Sequence, residues 1–189
     1  MSGSKKPQKI SRRGFLFGGF RKKDDKEQLN SAAKPIAATE VDLDVLASAN
    51  VAYENKRYVE ASEKYRDFIK SEPHNANARK RFGHSLYMSG KYIQAKVELE
   101  RSLKILGEDN FSALYLGLTY CRMGKNEKVL AVWKGYFNPE KINIQREVNL
   151  QMALIESDPE FPLAEAADMV EKVLGETLEQ GEAESQAKA

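Results

Sequence analysis

The chain has 189 residues, enough for one ordinary domain, with 41% hydrophobic and 31% charged residues. One cysteine excludes an intramolecular disulfide, and no run approaches the roughly 18–20 apolar residues of a membrane-spanning helix. The formal charge of +2 is unevenly spread: residues 1–23 hold eight basic side chains and no acid, which leaves −6 for residues 24–189.

The first element in chain order is this basic arm, followed by a linker. Residues 24–40 are charged and then Ala-rich, with Pro35 in the middle and no apolar periodicity. Residues 1–40 are therefore expected to be disordered, since they cannot bury enough apolar surface to offset ordering entropy. Within the arm, Ser11-Arg12-Arg13-Gly14-Phe15-Leu16-Phe17 resembles the twin-arginine export motif through Arg12, Arg13, Phe15 and Leu16. Phe17 stands where a lysine usually follows. The apolar stretch Gly14–Phe20 is short, glycine-rich and closed by Arg21-Lys22-Lys23, which argues against export and a periplasmic location. The same start resembles that of small cytoplasmic ferredoxins that accompany nitrate reductase, where it serves contacts inside the cell. The favoured expectation is cytoplasmic, with Phe15, Leu16, Phe17 and Phe20 dipping into an anionic membrane surface that the flanking cations attract.

From Asp42 the chain repeats with a period of 34, in windows that start at Asp42, Ala76 and Asn110. The eighth position is small (Ala49, Gly83, Gly117), and so is the twentieth (Ala61, Ala95, Val129). The twenty-fourth is large (Tyr65, Leu99, Trp133). The fifteenth (Lys56, Gly90, Gly124) falls where a turn is needed. Two helical stretches per period predict stacked antiparallel helical hairpins, with small residues at the close approaches and the large one between hairpins.

These blocks, above all Phe82–Leu103 and Leu116–Trp133, resemble tetratricopeptide repeats over roughly residues 42–139. The resemblance implies an all-α fold, a right-handed stack of three hairpins (42–75, 76–109, 110–143), whose first helices line a concave groove. The implied groove residues are Leu46, Asn50, Tyr53 and Glu54; Asn77, Lys80, His84, Tyr87 and Met88; and Phe111, Leu114, Leu118, Cys121 and Arg122. The partner contacts expected to matter most are Asn50, Tyr53, Asn77, Lys80, His84, Tyr87, Phe111, Leu118 and Arg122. Leu46 and Phe111 stand where the family's carboxylate-clamping members carry lysines, so a C-terminal carboxylate is not the expected ligand.

After Pro139 the period fades. Residues 141–156 and 160–175 keep helical spacing, with a helix start expected at Asp158-Pro159, and read as a capping hairpin over 141–176. Residues 177–189 are expected to be disordered.

Function follows from this inventory. Two histidines and one cysteine give no metal-ligand set, and Gly18-Gly19 lacks the Lys-Ser/Thr of a phosphate loop. No catalytic residue, metal or cofactor is expected. The expected role is a protein-interaction scaffold whose groove holds a peptide or helix of a partner. Nucleic acid is not expected, because the body is acidic. The alternatives are twin-arginine export to the periplasm, and self-association with the arm of one copy in the groove of another.

Overall fold

The computed structural model describes residues 40–187; the basic arm and most of the linker lie outside them. Eight helices make up the described chain: α1 (Glu40–Glu54), α2 (Tyr58–Ser71), α3 (Ala76–Met88), α4 (Tyr92–Leu106), α5 (Asn110–Arg122), α6 (Asn126–Trp133), α7 (Ile142–Ser157) and α8 (Leu163–Ala187). Each packs on the next in antiparallel pairs, and α1, α3 and α5 also touch along one side. This is the expected stack of helical hairpins.

Local chemistry sets the boundaries. Asn75 caps α3 by accepting from the Ala78 amide at 2.9 Å, and Asp109 caps α5 by accepting from the Ser112 amide at 2.8 Å. The turn inside each hairpin needs a left-handed residue, supplied at the fifteenth position by Lys56 (φ 57°), Gly90 (φ 72°) and Gly124 (φ 67°). Lysine is the costly choice of the three, because its Cβ crowds the carbonyl in that region.

Packing explains the repeat pattern. Ala61, Ala95 and Val129 are fully buried, as are Tyr65, Leu99 and Trp133. A Cβ on Gly83 would come within 2.7 Å of Leu99 Cγ, and one on Gly117 would overlap the Trp133 indole. The glycines therefore set how closely paired helices approach. A buried ion pair joins α3 to α4: Arg79 Nη1 binds the Glu98 carboxylate, while Arg79 Nε donates to the Pro73 carbonyl at 2.7 Å.

The last hairpin departs from the expectation in two ways. Its second helix begins at Leu163, not at Asp158-Pro159, because Pro162 disfavours helix at Phe161. That helix continues to Ala187 instead of ending near Glu176. Residues 177–189 read as disordered because they are acidic and poor in apolar groups. Yet residues 177–187 lack proline and extend a helix already anchored by buried Leu163, Ala166, Ala167 and Val170, so no new nucleus is needed. As part of a cap, α8 packs against α7 and against α5.

Candidate partner-binding groove

The side of the stack shared by α1, α3 and α5 carries the sequence-derived groove positions. At its α1 end, Leu46, Asn50, Asn75, Asn77, Ala78, Lys80 and Arg81 surround an open hollow of about 490 Å³. Asn50 Oδ1 accepts from the Tyr65 hydroxyl at 2.7 Å and from Arg81 at 3.2 Å. Lys80 pairs with Asp109 at 3.1 Å, so this cation also steadies the cap of α5.

The middle of the groove is an aromatic cluster centred on His84. The His84 ring lies 5.4 Å from that of Tyr53, 5.5 Å from Tyr58, 5.2 Å from Phe111 and 4.2 Å from Tyr115. Burial pushes the imidazole down to a pKa of about 4, so it is neutral at pH 7. The Tyr53 hydroxyl and His84 Nδ1 are 2.6 Å apart. With the hydroxyl donating, Nδ1 accepts and Nε2 carries the proton; Nε2 is buried with no hydrogen-bond partner among the described residues. Beside this cluster lies a cavity of about 360 Å³, lined by Tyr53, Tyr58, His84, Phe111 and Tyr115 and by Leu174 and Leu178 of α8.

This burial gives a pH dependence with a definite sign. A histidine whose folded pKa is depressed below about 6.5 contributes stability that is fully present above pH 6.5 and is lost as pH falls toward 4. Between pH 7 and pH 5 the loss assigned to His84 is about 2 kcal/mol. Urea unfolding of wild type and His84→Gln at the two pH values checks it: the substitution is expected to remove about that much of the difference.

At the α5 end the groove is filled from within. The Tyr87 hydroxyl donates to the Glu171 carboxylate; Arg122 Nη2 binds Glu171 at 2.8 Å and Asp168 at 2.7 Å. Burial, and then the Glu171 contact, raise the Tyr87 pKa well above its ordinary value. Tyr87 and Arg122 thus hold α8. Leu118 is fully buried on the helix that α8 packs against. Its assignment as a partner contact is corrected, because a side chain with no exposed surface offers a partner nothing to touch. Cys121 is buried too, and burial pushes its thiol up to about 12.

The structure therefore brings Tyr53, His84 and Phe111 together, places Asn50, Asn77 and Lys80 at the other hollow, and gives Tyr87 and Arg122 to α8. Sequence reasoning missed Tyr58, Arg81, Tyr115 and the α8 contributors. Tyr115 had a readable signal, an aromatic one turn after Phe111, whereas nothing local in α8 marks Glu171 as a neighbour of Tyr87. Among the described residues, no group of three or more His, Cys, Asp or Glu is arranged to hold a metal ion. None of the described helices is long and apolar enough to cross a membrane.

No protein-family model matches the chain, and no curated protein matches its sequence. Among solved structures it is similar to a chain of the CopN-Scc3 complex, with a TM-score of 0.54 and 19% identity over 76% of this chain and 86% of that one. At that identity the likeness concerns the fold: the chain is a helical-repeat protein.

Proposed function

We propose that this protein is a non-enzymatic adaptor of the tetratricopeptide-repeat type that holds a segment of a partner protein in the groove formed by α1, α3 and α5. The observation that carries the reading is the 360 Å³ cavity lined by Tyr53, Tyr58, His84, Phe111 and Tyr115, an aromatic wall on residues of α2, α3 and α5 and the end of α1. Sites of this kind bury apolar side chains and use a few polar groups to fix register. The structural neighbour belongs to a complex, which supports a protein partner.

The test is a binding titration with the partner recovered by affinity capture on full-length protein. Tyr58→Ala combined with Phe111→Ala is expected to weaken that binding at least about tenfold, the loss seen when an aromatic anchor is truncated. Circular dichroism confirms that the variant is folded. Unchanged affinity would put the interface on another face.

The arm has a separate role in this reading: Arg12 and Arg13, with Phe15, Leu16, Phe17 and Phe20, tether the complex at the cytoplasmic face of an anionic membrane. Full-length protein is expected to co-sediment with phosphatidylglycerol vesicles, and to be released by 0.5 M salt or by Arg12→Glu with Arg13→Glu, since each basic side chain near the surface contributes about 1 kcal/mol. Equal sedimentation with neutral phosphatidylcholine would contradict the tether.

A further inference from the structure

The groove has an occupant of its own. Up to Leu174, α8 is built into the core: Leu163, Ala166, Ala167 and Val170 are buried, and Asp168 and Glu171 are held by Arg122. Beyond Gly175 the helix changes character. From Glu176 on, none of the residues whose exposure is described is buried. Two glycines, Gly175 and Gly181, interrupt this stretch, and a Cβ at either would meet nothing within 4 Å. Glycine inside a helix is among the least favourable residues, and here no packing requires it. Even so, this weakly held stretch helps line the cavity: Thr177 and Leu178 share its lining with Tyr58, His84 and Tyr115, with Leu178 still 60% exposed.

We propose that α8 from Gly175 to Ala187 is a built-in stand-in for the partner, a gate that covers the His84 cavity with Leu178 and yields it to an acidic amphipathic helix bearing a leucine-sized anchor. This rests on the groove being the binding site. The occupant's chemistry comes from what the gate presents and what it leaves behind. Leu178 is flanked by Glu176 and Glu179 on an exposed helix. The charged groups that line the same cavity are Lys56 and Lys141 against Glu54 alone, a net positive mouth that favours carboxylates on the incoming helix. Partner and gate bind one wall, so the apparent affinity for the partner scales with the fraction of molecules whose gate is open.

Two substitutions in the full chain move the gate in opposite directions without touching the core. Leu178→Ser removes the apolar contact at an exposed position and adds no carboxylate for the positive mouth to attract. Gly181→Ala lies outside the cavity lining and favours the helical gate about fourfold. The cavity is probed with the neutral dye Nile red, and the gate with amide hydrogen exchange over residues 176–187. Leu178→Ser is expected to bind the dye at least threefold more tightly than wild type with faster exchange, and Gly181→Ala about fourfold more weakly with slower exchange. Equal dye affinities in all three proteins, or the reverse order, would overturn the gate. The groove reading fails separately, if the captured partner binds Tyr58→Ala with Phe111→Ala as tightly as wild type. Should that variant lose the partner while the three dye affinities stay equal, the groove stands and the gate falls.

Discussion

Glu98→Ala is expected to destabilise the fold by about 3–5 kcal/mol, the range for removing one partner of a buried ion pair. Glu98 and Arg79 are 6% and 7% exposed, and their contact ties α3 to α4. Removing the carboxylate leaves the Arg79 guanidinium in the core with one remaining acceptor, the Pro73 carbonyl. Arg101 loses its partner as well, but its side chain is largely in solvent and adds little. Replacing both members by apolar groups of similar size tests the physical cause. Arg79→Met with Glu98→Leu is expected to recover most of the loss, because no charge is then left buried. Denaturant midpoints of the single and double variants decide this: a single variant within 1 kcal/mol of wild type would show that the pair is not desolvated.

Gly117→Ala is expected to cost about 3 kcal/mol, the upper end for over-packing a filled core. Any Cβ at this position overlaps the Trp133 indole, whose Nε1 donates to the Leu114 carbonyl at 3.3 Å. The indole cannot swing away without giving up that bond and opening the α5–α6 contact. For a domain of about 150 residues, this loss lowers Tm by roughly 6–12 °C. Trp133 is the only tryptophan, so its fluorescence reports the disturbance directly. Gly117→Ala with Trp133→Leu is expected to be more stable than Gly117→Ala alone. If the single substitution leaves Tm and emission unchanged, the close approach of α5 and α6 is wrong.

The repeat core was legible because its constraints are periodic. Small residues at the eighth and twentieth positions, a bulky one at the twenty-fourth and a left-handed turn at the fifteenth each recur at 34-residue intervals, and each has a steric reason in the structure. The capping hairpin was legible only as two helices. Its composition does not reveal that Asp168 and Glu171 reach Arg122, since those pairings join residues 46 and 49 positions apart in sequence and depend on how α8 turns after Pro162. Leu118 likewise reads as a groove position from the repeat register, yet its side chain is fully buried. Residues 177–187 show a related limit: composition reports that a segment has little to bury, not that a preceding helix will carry it on.

The central claim, that a partner segment lies in the groove of α1, α3 and α5, is tested most directly by site-specific photo-cross-linking. A photoreactive phenylalanine is placed at Tyr58, beside the His84 cavity, and in a second protein at Ile93, which is 74% exposed on α4 and lines a hollow with Ile69 and Phe82 rather than the groove. Cross-links to one partner from position 58, and none from position 93, are the result this account predicts. Cross-links from 93 with none from 58 would place the interface on the opposite side of the stack and contradict it.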